Sequence, residues 1–279
     1  MLSERIEQRV LGALHLVDRV TGTPLTRPMQ IGSDKLRLVR NLRGLYVITH
    51  ADGLEAHAEA FQAAPSSPEP GANAYSLEVH DPLMRFLPRL VTLHLPRDPD
   101  PDKAGRADSL FTPRDVLMYP ASTAGLSPNW STVRATVTQG PDPQTTTPVR
   151  GSLIRIIDIA EERVLSSGLS DERGEALIIV PGVPVTKFAE EDPEDDAPPG
   201  GGPPGGGPPG AGHGHGHDHD QPPVLVNTLA VRLELSLADS APWPANPDLL
   251  EQNHDVNRRV SLDLELTTGR MERVAINVT

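Results

Sequence analysis

The chain has 279 residues and no cysteine; that is room for one large or two ordinary domains with cores of their own, and it excludes disulfides, thiolate nucleophiles and cysteine-ligated zinc. The net charge of −13 is uneven: eight acids (Glu190, Glu191, Asp192, Glu194, Asp195, Asp196, Asp218 and Asp220) fall in one tract, 189–223, that holds no Lys or Arg. The remainder is only mildly acidic and carries no basic patch of the kind that binds nucleic acid.

The first segment, MLSERIEQRVLGALHLVDRV, carries charges where a signal peptide needs its apolar core, and no run approaches the ~20 apolar residues of a membrane helix. The expectation is a cytoplasmic protein with no export signal and no membrane segment, released only by lysis or as part of a larger particle. Residues 8–97 read as a first set of short strands. Thr21-Gly22-Thr23-Pro24 and Asp52-Gly53 supply chain reversals, because glycine accepts positive φ and proline presets it near −65°. Leu54 to Phe61 has room for a short turn of helix. Tyr75, Leu77 and Val79 then alternate with Ser76, Glu78 and His80, and the set ends at Leu95-Pro96-Arg97. Residues 98–129 are rich in Pro and Asp, with an apolar interlude at Val116 to Tyr119, and read as a connection.

A second set of strands spans 130–279. Val133, Ala135 and Val137 alternate with Arg134, Thr136 and Thr138; Asp171-Glu172-Arg173-Gly174 is a turn. Alternation returns at Val231 to Leu237 and at Val260 to Thr267, and Val274, Ile276 and Val278 close the pattern. Asn246 followed by Pro247 is an N-cap and first-turn signal for a helix over 246–252. Successive strand side chains point to opposite faces, so each run offers one face to a core and one to water. Short strands with turn chemistry and few helical patterns predict an all-β protein of two antiparallel β-sandwich domains, 1–97 and 130–279. The tract 189–223 interrupts the second between Val180 and Val224, and its Gly, Pro, acid and His composition reads as a long disordered insertion.

Two segments share one plan. Leu14 to Leu25 precedes Arg43-Gly44-Leu45-Tyr46-Val47-Ile48, and Val149 to Asp158 precedes Ser170 to Leu177. Each reads as a strand ending in Asp, a turn, an intervening strand and a glycine that opens another strand. This resembles the carboxypeptidase regulatory-like, or transthyretin (prealbumin)-like, β-sandwich, whose pattern runs roughly G-x-V-x-D-x-x-T-G-x-P-L and then S-D-x-x-G-x-F. The second copy lacks the T-G-x-P turn and has Ala176-Leu177 where the family carries an aromatic. The resemblance implies tandem accessory or structural modules; fold alone does not assign a role.

Candidate chemistry is sparse. His213, His215, His217 and His219 stand at alternate positions on a Gly-rich tether, with Asp218 and Asp220 among them, a pattern able to gather Zn, Ni or Cu. A Gly/Pro tether provides no groups to orient those imidazoles, so the expected binding is adventitious and no cofactor is implied. Among transthyretin-like enzymes, the hydroxyisourate hydrolases end in Tyr-Arg-Gly-Ser. Here Arg150-Gly151-Ser152 lies mid-chain and the last residues are Ile276-Asn277-Val278-Thr279. The intradiol dioxygenases need two Tyr and a His-x-His pair, but this chain has only Tyr46, Tyr75 and Tyr119, and its His-x-His lies in the tract. Neither a G-x-S-x-G elbow nor an H-E-x-x-H helix occurs. His50-Ala51-Asp52 and His80-Asp81 read as strand ends and turns. Sugar-binding platforms would have to come from Tyr119, Trp130 or Trp243, in a chain only 3% aromatic. Leu83, Met84 and Phe86, in the Pro-bracketed stretch Asp81 to Arg89, either plug the end of a sandwich or form a docking patch for a partner.

The sequence therefore leads to a non-enzymatic structural or interaction protein that works through contacts with other proteins of a larger bacterial assembly. The phage-tail-like contractile particle is the kind of assembly that fits. The competing expectation is a ligand- or metal-binding accessory β-sandwich module.

Overall fold

The computed structural model describes residues 9–59, 68–142, 145–183, 228–240 and 242–278. The chain is all-β, built as two sandwiches whose strands follow the predicted alternation. In the first, strands β1 (Gly12–Asp18), β2 (Gln30–Gly32), β3 (Leu36–Arg40) and β4 (Tyr46–Ala51) precede a short helix α1 (Glu55–Glu59), and β5 (Asn73–His80), β6 (Arg89–Leu95) and β7 (Arg114–Met118) follow it. One sheet runs β3-β4-β1-β7 and the other β2-β5-β6. Their facing residues, among them Leu14, Leu16, Ile48, Leu77, Val79, Val91, Leu93 and Val116, make one buried core. The apolar interlude at Val116 to Tyr119 is thus mostly strand: β7 pairs with β1, and in parallel, Leu14 opposite Arg114 through Asp18 opposite Met118. A parallel pair needs a long crossover, and all the strands from β2 to β6 lie within it.

The second sandwich contains β8 (Ser131–Gln139), β9 (Thr147–Pro148), β10 (Leu153–Asp158), β11 (Arg163–Leu169), β12 (Glu175–Val180) and β13 (Thr228–Ser236). Two short helices, α2 (Pro247–Gln252) and α3 (His254–Asn257), and strands β14 (Arg258–Thr267) and β15 (Met271–Val278) complete it. Its sheets run β12-β8-β15, with β9 beside the end of β8, and β11-β10-β13-β14. All pairings are antiparallel except β8 with β15. Val133, Ile154, Ile156, Ile178, Leu233 and Leu235 stand at the centre of this core. Glycine shapes two points. Gly174 opens β12 at φ 74°, where a Cβ would lie 2.3 Å from the Val137 carbonyl oxygen. Gly168 lets β11 pass so near β12 that a Cβ would sit 2.9 Å from the Leu177 carbonyl oxygen.

The polar face of β13 departs from the sequence reading. Arg232, Glu234 and Ser236 alternate with the core residues and were expected to face water, yet Glu234 and Ser236 are buried. The α2–α3 segment covers them: Ser236 Oγ meets His254 Nδ1 at 2.6 Å, and His254 Nε2 meets Glu234 at 2.7 Å. β10 and β12 are likewise buried on both faces.

α2 forms where predicted, the Asn246 side chain accepting from the Leu249 N–H, and it fastens the two sandwiches. The Leu90 N–H donates to the Ala245 carbonyl at 2.8 Å, and Asn246 Nδ2 donates to Thr92 Oγ1 at 3.0 Å. The Asp248 carboxylate meets Arg89 at 2.6 Å and Arg114 at 2.9 Å. Arg89 is fully buried, and its guanidinium also donates to the Leu117 carbonyl at 2.5 Å. A small apolar cluster of Leu87, Tyr119, Leu153, Leu169 and Leu250 fills the seam. The His-rich tract 189–223 lies outside the described residues; the strands flanking it, β12 and β13, belong to opposite sheets of the second sandwich. Among the described residues no helix is long and apolar enough to cross a membrane.

Candidate functional site: a ridge and two clefts at the seam

β5 and β6 form a hairpin whose connection, Asp81 to Pro88, runs along the seam. Asp81 organises it. Its buried carboxylate accepts the N–H groups of Leu83 at 3.0 Å, Arg85 at 2.8 Å and Phe86 at 3.1 Å, and pairs with the Arg27 guanidinium. A carboxylate saturated by several backbone donors fixes its loop firmly. The loop is also stitched to the start of the next segment: the Leu87 N–H donates to the Tyr119 carbonyl at 2.8 Å, and the Ala121 N–H to the Arg85 carbonyl at 2.9 Å. The Arg27 guanidinium lies 5.3 Å from the Phe86 ring centre, within cation–π range.

These bonds split the apolar residues of the stretch. Leu87 is buried in the seam cluster, and Phe86 packs partly buried against the first core. Leu83 and Met84 project, 62% and 78% exposed. Met84 adopts φ 52°, a left-handed conformation that costs a residue with a Cβ free energy and persists because the surrounding bonds over-determine it.

The ridge separates two open clefts, and Met84 and Phe86 line both. The first, about 680 Å³, has Trp130 and Ile179 in its wall and Asp18, Arg27 and Arg85 as its charged groups. The second, about 670 Å³, lies toward Trp243 and Pro244. Its carboxylates are Glu78, Asp81, Asp171 and Glu172, against Arg173 and His80. The second cleft is thus acidic; in the first, Arg27 is paired with Asp81 and the remaining charges, Asp18 and Arg85, balance. Within the second, burial pushes the Asp171 carboxyl up, but the Glu175 N–H, the Ser122 hydroxyl and the Arg173 N–H and guanidinium outweigh it and hold its pKa below the ordinary value. Arg173 is exposed, and its guanidinium meets Asp171 at 3.2 Å and Glu175 at 2.9 Å. The Trp243 indole N–H donates to Glu172 at 2.9 Å, and a Cβ added at Gly151 would lie 3.6 Å from the indole ring, so the ring is held at its edge and against backbone.

Of the residues singled out in the sequence, Leu83, Met84 and Phe86 therefore come together on one ridge. His213, His215, His217 and His219 lie outside the described residues. Tyr119 is buried and offers no stacking face, whereas Trp130 and Trp243 each line a cleft. His50 and Asp52 do stand at a turn, joined at 3.1 Å, and with Glu55 they place three donor atoms within 4.8 Å of one another. Glu55 accepts the Gly53 N–H at 3.0 Å, so the group closes the turn into α1.

Sequence reasoning passed over the acidic lining of the second cleft, because Glu78 lies on β5 while Asp171 and Glu172 lie in the turn between β11 and β12, far apart in the chain. It also passed over Ser236, His254 and Glu234. They lie in one hydrogen-bonded line, but the serine is fully buried and contacts Nδ1 while the acid contacts Nε2. A nucleophile needs access to its substrate; this trio ties β13 to α3.

No protein-family model matches the chain, and no curated protein matches it in sequence. Two solved structures are similar over most of it. The TIE protein of Bacillus anthracis is 8% identical, with 96% of this chain and 34% of that one covered and a TM-score of 0.24. GBS52, the minor pilin of the gram-positive pathogen Streptococcus agalactiae, is 8% identical, with 95% and 94% covered and a TM-score of 0.25. The chain spans about a third of the length of the first of these.

Proposed function

We propose that this protein is a non-catalytic interaction protein that docks a protein partner at the seam ridge, as a structural component of a larger bacterial assembly. One observation carries the reading: Leu83 and Met84 are large apolar side chains held out from a loop that Asp81 fixes in place. Exposed apolar groups on a preorganised loop lose little entropy when covered, which favours a contact surface. Serving as docking residues, Leu83, Met84 and Phe86 would offer an edge flanked by two clefts, one of them acidic.

The side-chain groups that mimic catalytic sets support a non-enzymatic role, because their bonds are committed to turns and to helix docking. The finer parts of the proposal rest on sequence. Residues 1–97, with β7 from the expected connection 98–129 added to their sheet, and residues 130–279 act as two sandwich domains, and the assembly is of the phage-tail-like contractile kind. The histidines of 213–219 bind Zn, Ni or Cu only adventitiously.

The test is isolation of the tagged protein from its native cells, with mass spectrometry and light scattering. The expected result is a complex of defined stoichiometry, lost in a Leu83→Asp, Met84→Asp variant whose thermal unfolding is unchanged. A protein recovered monomeric and alone would overturn the proposal.

A further inference from the structure

We propose that the acidic cleft beside the ridge receives a basic side chain, arginine or lysine, from the partner protein; this rests on the docking role of the ridge and names the partner's chemistry. Two of the cleft's four carboxylates are already satisfied. Asp81 is taken up by three backbone N–H groups and Arg27, and Asp171 by Ser122, Arg173 and two backbone N–H groups. The other two are half-used. Glu78 meets His80 through Oε1 at 2.7 Å, and Glu172 accepts the Trp243 indole N–H through Oε1 at 2.9 Å. Among the described residues, the second oxygen of each has no partner.

Three features then favour a cation. The cleft carries more carboxylates than bases, so its field attracts positive charge. Its wall includes an indole, the ring that binds a cation most strongly through its face. That ring is fixed by Glu172 at its edge and by the backbone at Gly151, so little ordering remains to be done on binding. A guanidinium donates to carboxylates in pairs and stacks on aromatic faces, and an ammonium satisfies the same acceptors as a point charge. The apolar stem of either residue would lie along Met84, Phe86 and Pro244, which line the same cleft. The excess of carboxylate distinguishes this occupant from a neutral sugar, which would use the ring but not the field.

The experiment uses the full chain labelled with ¹⁵N and follows the Trp243 indole N–H resonance, assigned with Trp130→Phe. The probes are the capped peptide acetyl-Ala-Leu-Arg-Leu-Ala-amide and its citrulline counterpart, which keeps the shape of arginine and removes the charge. The arginine peptide is expected to shift the Trp243 resonance saturably, and the citrulline peptide to bind at least about tenfold more weakly. The Glu78→Gln, Glu172→Gln variant keeps an acceptor for the indole; it is expected to weaken arginine-peptide binding about tenfold and to erase the preference over citrulline. Equal binding of both peptides, or no shift at about 10 mM peptide, would overturn the inference. A response to cellohexaose in place of the peptides would overturn it in favour of a sugar site. The two proposals fail separately. Native complexes that the Glu78→Gln, Glu172→Gln variant still forms in full defeat the cleft assignment and leave the ridge standing. A wild-type protein that is monomeric and alone defeats the docking role itself.

Discussion

Glu234 is a carboxylate on a strand face that α3 covers, and its ionisation is tied to the packing of that helix. Burial pushes its pKa up, but the bond from His254 and the charges of His254, Arg258 and Arg155 outweigh burial and hold it below the ordinary 4.5. A carboxyl whose folded pKa is depressed contributes stability above its unfolded pKa and loses that contribution as the pH falls through the folded value. Glu234→Gln is therefore expected to lower stability at pH 7 by about 1–3 kcal/mol. The gap from wild type should narrow below about pH 4, where the unfolded carboxyl is protonated. Denaturant midpoints of both proteins at pH 7 and pH 3 check this, and a gap that stays constant would refute the linkage. In the sequence, Glu234 was indistinguishable from a solvent-facing strand residue. Alternation shows which face a side chain takes, and whether that face is wet depends on what folds over it.

At the scale of elements, α2 was readable and its work was not. Asn246 and Pro247 announce a helix by local chemistry, since an N-cap satisfies orphan N–H groups whatever the helix packs on. That the helix reaches across to the first sandwich depends on Asp248 meeting Arg89 and Arg114, which lie more than a hundred residues away. Asp248→Ala leaves the fully buried Arg89 without its carboxylate. The expected loss is about 2–4 kcal/mol, less than for a wholly buried pair because Asp248 is partly exposed. Chemical unfolding of the variant beside Asp248→Asn measures it. A loss under about 0.5 kcal/mol, within the range of an ordinary surface substitution, would mean that backbone carbonyls alone satisfy the arginine. β7 makes the same point. Val116 to Tyr119 read only as an apolar interlude within a connection rich in Pro and Asp, because a parallel pairing with β1 has no local signature.

The whole molecule is two sandwiches clasped at a seam, with a segment of 184–227 joining strands of the second. If that segment serves only as a solvated connection with incidental metal affinity, removing 197–221 should leave the melting temperature within about 2 °C of wild type. The same deletion should abolish any Ni or Zn response. Scanning calorimetry with and without metal tests this, and a metal-dependent gain in stability that survives the deletion would place the metal elsewhere. The seam is also where the exposed apolar ridge and the two clefts, one of them acidic, come together. They draw on residues from 18 to 244.

Period-two patterning, Gly and Pro turns and one capped helix sufficed, on the sequence alone, to determine an all-β chain of two sandwiches, because those signals are written in neighbouring residues. The stretch from Asp81 to Arg89 could be picked out but not resolved between plug and patch. Tertiary structure set the exposure residue by residue, burying Leu87, half-burying Phe86 and leaving Leu83 and Met84 exposed. It also assembled the acidic cleft and buried the polar face of β13. The cleft and the covered β13 face are set by contacts between residues far apart in the chain, and the ridge by Asp81's local bonds together with distant Arg27 and Tyr119; such contacts leave no periodicity to read.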